Sequence, residues 1–467
     1  MSRIAIIGAG PIGLEAALLA RQLGHDVQVF EKGRVAENVL DWGHVRLFSP
    51  FGMNSSEWGR GALAKALGPD ALPREDELLT GKAFAERYLI PLSQLPDLAG
   101  CIHEQSQVVS ISRRHFRKTD GIGSAARGTE PFQLLIESHS TTRSVISDPL
   151  EDDERIEESF ESQESSQTLR ARHELEVHRI DERVELADVV LDCSGTYPHY
   201  NWVGDGGLPC VGERHSLAEN HYRIPVIHEA EFRDRIVLVI GSGFSAATSV
   251  VTLAGLAKLH PQTKVLWFAK SQPGQGGGVG PIARVPNDPL IERDQLAAKA
   301  NELASIGHFS RAALPEVKHH PVVWFADVAI KSISPNQTCR DFSGFEVELD
   351  WSLFAAERDE LPPRLSVDRI IANVGYRPDR SIYEELHVHE CYATQGPIKL
   401  AAKLLGETSS DCLAQTSHGS DVLMNPERNF FILGAKSYGR NSNFLLRVGI
   451  EQVLEVLTKL SLAKVSP

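Results

Sequence analysis

The sequence predicts an α/β chain built from two Rossmann-like dinucleotide-binding units. Two observations predict it. Gly8-Ala9-Gly10-Pro11-Ile12-Gly13 stands near the start, and Gly241-Ser242-Gly243-Phe244-Ser245-Ala246 in the middle. Each follows a short apolar run and opens an apolar, Ala-rich segment, the strand–loop–helix context such fingerprints require. Two in one chain imply two dinucleotides held face to face. That arrangement makes sense chiefly when one delivers a hydride to the other.

In the first unit, Arg3-Ile4-Ala5-Ile6-Ile7 reads as a buried strand, Leu14 to Ala20 as a helix, and Val27-Gln28-Val29-Phe30 as a second strand ending in Glu31. Gly8 permits the tight turn, Gly10 lets the backbone approach a pyrophosphate, and Gly13 allows close helix–strand packing. The helix N-terminus attracts the anion. Pro11 and Ile12 in the loop, and Lys32 beside Glu31, count with the same site. Glu31 stands where a carboxylate accepts hydrogen bonds from a ribose hydroxyl pair, and it would repel a 2′-phosphate. The site therefore suits FAD or NAD, not NADP.

In the second unit, Arg235 to Ile240 is again strand-like, and Ala246 replaces the third glycine, as the fingerprint allows. A helix is expected from Ser245 to about Leu259, with Phe244 and Ser245 at the nucleotide, and Lys264 to Phe268 as the next strand. That strand ends in Ala269-Lys270-Ser271, with no acid. A cation there favours a 2′-phosphate, hence NADPH, and Arg284 could add to the clamp. Gly276-Gly277-Gly278 reads as a mobile loop, because no strand feeds directly into it.

Composition narrows the function classes. With 467 residues, 42% of them hydrophobic, the chain can bury cores for two or three domains. It has no apolar run of the roughly 18 residues a membrane helix needs. The opening residues read as a strand rather than a signal peptide, so a cytoplasmic protein is expected. The six cysteines, at 101, 193, 210, 339, 391 and 412, form no Cys-x-x-Cys pair and no metal-like spacing, a pattern of scattered reduced thiols and no metal. His319-His320 and the His387/His389 pair read as surface or packing residues. A net charge of −14 argues against nucleic acid. Much of that charge lies between Asp148 and Glu164, inside a Ser/Glu/Asp-rich stretch of about 140–182 that reads as a solvated, mobile insertion.

Further residues carry a family resemblance over nearly the whole chain apart from that insertion. Ala187 to Thr196, with Asp192-Cys193-Ser194-Gly195, looks like a strand ending in an Ala-Thr-Gly-type turn. Ile370 to Asp379, with Gly375-Tyr376-Arg377-Pro378, looks like a second crossover. The chain thus resembles the flavoproteins with two dinucleotide-binding domains, which include flavin-containing monooxygenases and thioredoxin-reductase-like enzymes. The resemblance implies a discontinuous FAD domain, 1–225 and 366–467, with an NAD(P)H domain, 226–365, inserted into it. It implies cofactor contacts from Val108, whose backbone would touch the adenine, and from Ser194, Gly195, Gly375 and Gly434. It also implies a last helix, around Val448 to Val453 with Gln452, aimed at the flavin.

Three departures matter. The late strand Phe430-Phe431-Ile432-Leu433-Gly434 runs into Ala435-Lys436 where the family often has Gly-Asp. The missing cysteine pair removes the dithiol relay of the disulfide reductases. The nearest stretch to the monooxygenase fingerprint, Cys210 to Ser216, lacks its Phe and has His215 one residue early.

Candidate chemistry concentrates in Asp41-Trp42-Gly43-His44-Val45-Arg46-Leu47-Phe48. Trp42 reads as a wall of the flavin pocket and Arg46 as a phosphate or flavin-oxygen partner. His44 is the candidate catalytic proton carrier, being titratable near neutrality. The polar cluster Lys436 to Asn443 is either close to the flavin or a solvated turn. Three functions stay open. The first is an FAD-dependent, NADPH-oxidising monooxygenase of a small-molecule substrate. The others are a reductase serving a quinone, metal or partner protein, and a non-catalytic redox sensor. A homodimer is compatible with any of them.

Overall fold

The structure is a computed structural model that describes residues 1–145, 174–270, 272–273, 279–307, 320–326, 328–336, 344–350, 363–406 and 416–462. Strand β1 (Arg3–Ile7) is buried from Ile4 onward because Ile-Ala-Ile-Ile offers apolar side chains to both faces. The chain turns through the first glycine loop into a helix, Pro11–Gln22, whose Pro11 stands at the first helical positions, where its missing N–H costs nothing. It returns as β2 (Asp26–Phe30), pairing parallel to β1. β3 (Ile102–His103), β7 (Val189–Asp192) and β17 (Phe430–Ile432) complete a parallel sheet in the order β17-β7-β1-β2-β3.

β4 (Ser106–Arg113), β5 (Phe132–Val145) and β6 (Glu174–Ala187) form an antiparallel sheet beside it. Residues 140–145 and 174–182, expected to be part of a mobile insertion, are therefore strand, paired from Val145↔Glu174 to Phe132↔Ala187. The alternation that carries the hairpin was masked by the acidity around it. The acidic run at 148–164 lies outside the described residues, as does the triple glycine 276–278.

The second parallel sheet is built from β8 (Ile236–Ile240), β9 (Lys264–Ala269), β12 (Val322–Ala326) and β16 (Arg369–Ala372). Its order is β12-β9-β8-β16. Between β8 and β9 runs the helix Phe244–Leu259, packed on one side with Ala246, Ala247, Val250 and Leu253. The short pair β10 (Gln272–Pro273) and β11 (Val279–Gly280) precedes the helix Ile291–Gly307, and β13 (Ala329–Asn336), β14 (Gly344–Asp350) and β15 (Arg364–Val367) form a three-stranded antiparallel sheet.

All strands of the second sheet lie in sequence between β7 and β17 of the first. Its edge falls later than expected. Arg369–Ala372, read from the sequence as part of the first unit, pairs with β8 from Val237 to Ile240. Ile370, Ile371 and Ala372 are buried there, because a strand as apolar as β8 needs a neighbour on each side.

The last helix, Leu446–Leu462, packs against the first glycine-loop helix, with Val453, Val456 and Leu457 in one core with Leu14 and Leu18. Their approach is close. A Cβ on Gly449 would lie 2.6 Å from Ile12 Cδ1. Among the described residues no helix is long and apolar enough to cross a membrane.

Candidate functional site

Both glycine loops sit where the strand order reverses, β1 between β2 and β7 and β8 between β9 and β16, the point at which an open parallel sheet leaves a crevice. In the first loop Gly8 has φ +97°, and a Cβ on it would lie 3.0 Å from the Cys193 carbonyl oxygen and 3.1 Å from Ser194 Cα. A Cβ on Gly13 would come within 1.9 Å of the Gly8 carbonyl oxygen, so only hydrogen fits where helix meets strand. A Cβ on Gly10 would meet nothing within 4 Å. That open space is a cradle into which a ligand's phosphates can approach the backbone. Pro11 starts the helix, and Ile12 turns inward against Gly434 and Gly449 instead of toward the cleft.

Glu31, at the end of β2, is held from two sides. Ala9 N–H donates to its Oε2 at 2.8 Å and Gly33 N–H to its Oε1 at 2.9 Å. Burial pushes the carboxyl pKa up, and the two amide hydrogen bonds oppose that. The carboxylate thus ties the loop to the strand end while each oxygen keeps acceptor capacity for a hydroxyl. Lys32 beside it is exposed.

The second loop repeats this design. Gly241 has φ +139°, a Cβ on it would lie 2.2 Å from the Asn373 carbonyl oxygen, and Gly243 is as open as Gly10. Ala246 is fully buried in the place of Gly13, and Phe244 and Ser245 open the helix. Trp267 Nε1, which the sequence reading missed, donates to the Gly241 carbonyl at 2.9 Å. Lys270 is exposed, and its backbone N–H donates to Ser242 Oγ at 2.7 Å, latching the strand end to the loop. The Arg284 guanidinium makes a two-pronged pair with Asp294, at 2.8 and 2.6 Å.

The segment 41–48, where Trp42 is expected to wall the flavin, is a strap that reaches the second unit. Trp42 packs on the backbone of Gly81, where a Cβ would lie 2.5 Å from its ring. Asp41 pairs with Arg223 at 3.1 Å. His44 is largely solvent-facing, with its pKa lowered by partial burial against a hydrogen bond to the Pro225 backbone. Arg46 pairs with Glu292 on the helix Ile291–Gly307 at 3.4 Å. Phe48 meets Phe244 edge-on at 5.5 Å between ring centroids, bringing the strap to the mouth of the second glycine loop. Aromatic and cationic density marks an interface as readily as a pocket, and sequence alone does not separate them.

Under the first loop lies the turn after β7. Ser194 Oγ donates to Asp192 Oδ1 at 2.6 Å, and Ser194 N–H reaches the same oxygen at 3.1 Å. Gly195 follows with φ +72°, and Gly375 holds the equivalent turn after β16 with φ +80°. Lys436, in the cluster that could have been a solvated turn, is buried. Its Nζ lies 2.6 Å from Asp192 Oδ2 and donates to Ser194 Oγ at 3.0 Å. Gly434 N–H donates to Gln452 Oε1 at 2.9 Å, and Gln452 Nε2 donates to Ser437 Oγ, so the Gln452 amide is spent inside the protein. Val108 points its side chain into a core, and the ladder slips between Val108 and Ser110. His215 is exposed, and the neighbouring Glu213 is fully buried, accepting from Val203 N–H, Cys210 N–H and Tyr222 Oη. No group of three or more His, Cys, Asp or Glu among the described residues could hold a metal.

Residues 3–41 match the family model described as pyridine nucleotide-disulphide oxidoreductase. No curated protein matches the chain in sequence. Among solved structures, the bacillithiol disulfide reductase Bdr (YpdA) from Bacillus cereus is similar over 99% of both chains, with a TM-score of 0.55 and 15% identity. The same reductase from Staphylococcus aureus is similar over 99% of both chains, at 0.53 and 13%. DfoA bound to FAD, the cadaverine monooxygenase of desferrioxamine biosynthesis from Erwinia amylovora, scores 0.50 at 12% identity, covering 99% of this chain and 94% of its own. The chain has the fold of the flavoproteins with two dinucleotide-binding domains.

Proposed function

We propose that the chain is an FAD-dependent oxidoreductase that takes hydride from NADPH and acts as a monooxygenase on a small molecule. One observation carries this reading. Two glycine loops, each with an open second glycine, stand one in each parallel sheet, and the strap 41–48 reaches Phe244 at the opening of the second through Phe48. Two dinucleotides seated on such loops have their reactive ends in one shared space.

The residues fit the groups assigned to them. At the first site Gly10 leaves room for the pyrophosphate of FAD, the helix Pro11–Gln22 turns its N-terminus to that charge, and Glu31 offers acceptors to a ribose. The protein supplies position and charge, and FAD supplies the hydride acceptor and the oxygen chemistry. At the second site Gly243 leaves the same room, and the exposed Lys270 ammonium suits a 2′-phosphate. In this reading the first nucleotide domain comprises β1 to β7 and the segment with β17, and the second comprises β8 to β16.

Two of the described thiols are unsuited to a dithiol relay. Cys193 and Cys210 are buried, and burial pushes both thiols up, Cys210 to about 12, far from a thiolate at neutral pH. The sequence carries no Cys-x-x-Cys pair, so a reductase reading would need an external acceptor.

Steady-state NADPH oxidation by the purified, FAD-loaded protein tests the proposal. Substrate-dependent turnover that consumes oxygen is the expected result. Turnover with an artificial acceptor in the absence of oxygen, and none with oxygen, would replace the monooxygenase by the reductase.

A further inference from the structure

We infer that Lys436 is a positioning residue of the first nucleotide site, acting through Asp192 and Ser194 on the turn that supports the glycine loop. The inference rests on the reading that this site binds FAD.

The three side chains close a ring. Lys436 Nζ sits 2.6 Å from Asp192 Oδ2 and donates to Ser194 Oγ at 3.0 Å, while Ser194 Oγ donates to Asp192 Oδ1 at 2.6 Å. The lysine and aspartate side chains are 1% and 0% exposed, so water screens neither charge. The ammonium also lies 5.2 Å from the centroid of the Tyr383 ring, which faces a cation with its negative π surface. Such a pair is costly to bury, and apolar residues of similar volume often serve stability as well or better. A device of this kind placed beside a ligand loop is better explained by what it orients.

What it orients is in contact with the loop. The turn it fixes carries Cys193 and Ser194, whose backbone atoms stand 3.0 and 3.1 Å from where a Cβ of Gly8 would be. On its other side Lys436 belongs to the turn after β17, whose Gly434 packs on Ile12 of the same loop and is held by Gln452 of the last helix. The lysine therefore joins two segments 242 residues apart at the place where both touch the glycine loop.

The test separates orientation from simple stability. Lys436→Met or Asp192→Asn alone leaves one buried charge unpaired and should destabilise the fold. The double variant Asp192→Asn/Lys436→Met leaves none, so its thermal midpoint should return close to the wild-type value. Its affinity for FAD should nonetheless fall about tenfold or more, through the lost charge-assisted hydrogen bonds. Its affinity for NADPH, measured on the same sample, should stay unchanged. Wild-type FAD affinity in the double variant overturns the inference alone, and a parallel fall in NADPH affinity overturns it too. A wild-type protein that takes up no FAD overturns the functional reading with it. Should the double variant not fold, Ser194→Ala cuts the same link without touching a charge. It should weaken FAD binding several-fold, and unchanged binding overturns the inference.

Discussion

The two glycine sites share a backbone plan and differ in how each is finished. At the first, β7 ends in a charged residue, Asp192, neutralised by Lys436, and β2 ends in Glu31, bound by two loop amides. At the second, the register puts Ala372 opposite Ile240 as it puts Asp192 opposite Ile7, and the next residue, Asn373, accepts a neutral hydrogen bond from Ser249. Lys270, directly after β9, is exposed, and its backbone N–H is tied to the loop. The first site is thus fixed by charge inside the protein, and the second presents its charge outward. This division suits one nucleotide that stays and one that comes and goes.

The sharpest break in the comparison is steric. Gly13→Ala puts a methyl group 1.9 Å from the backbone oxygen of Gly8, and neither backbone can yield without opening the loop. We expect a loss of about 3 kcal/mol in urea unfolding, the upper end for overpacking, together with loss of FAD. The reverse change at the second site, Ala246→Gly, should cost only about 1 kcal/mol, the propensity difference in a helix. Equal effects at the two positions would mean that the loops are not finished differently.

Next in size are the strand-end charges. Glu31→Ala leaves the amides of Ala9 and Gly33 without their acceptor, at about 1–3 kcal/mol for each donor left buried, and the purified variant should come off the column without flavin. A fully yellow variant would contradict the first-site assignment. Lys270→Glu should raise the KM for NADPH about tenfold while moving that for NADH little, since only the former carries a phosphate for the ammonium. An equal rise for both would remove the 2′-phosphate from the argument.

These residues were legible in the sequence because local order carries them. An apolar strand, a glycine loop and the strand-end residue lie within a few dozen positions, and Glu31 and Lys270 differ in sign at matching places. Lys436 was visible as a departure from a family pattern and as the start of a polar cluster, but not as a pair, since its partner Asp192 is distant in sequence and looks like the end of an ordinary buried strand. Trp42 reads as a flavin wall and Arg46 as a phosphate or flavin-oxygen partner because the same side chains build pockets and interfaces. Their contacts with Gly81 and Glu292 are visible only in the fold. The pairing of the late segment Arg369–Ala372 with β8, past the expected boundary at 365, is hidden for a similar reason: a short apolar run does not say which apolar neighbour it will pair with.

The smallest expected effects lie in the strap, and they bear on how the two sites communicate. Phe48 touches Phe244 at the opening of the second helix, so Phe48→Ala removes an edge-on aromatic pair of about 0.5–1.5 kcal/mol. Because Phe244 belongs to the second loop, the change should appear as a raised KM for NADPH, with FAD content and the unfolding midpoint nearly unchanged. Arg46→Ala breaks only the exposed pair with Glu292, a contact of about 1 kcal/mol or less. Its effect should shrink further as salt is added, because both groups are solvated and their attraction is screened. If Phe48→Ala instead releases FAD, the strap supports the first site rather than the second. If Arg46→Ala acts as strongly in high salt as in low, the guanidinium works on something other than Glu292, and the phosphate role first assigned to it regains its place.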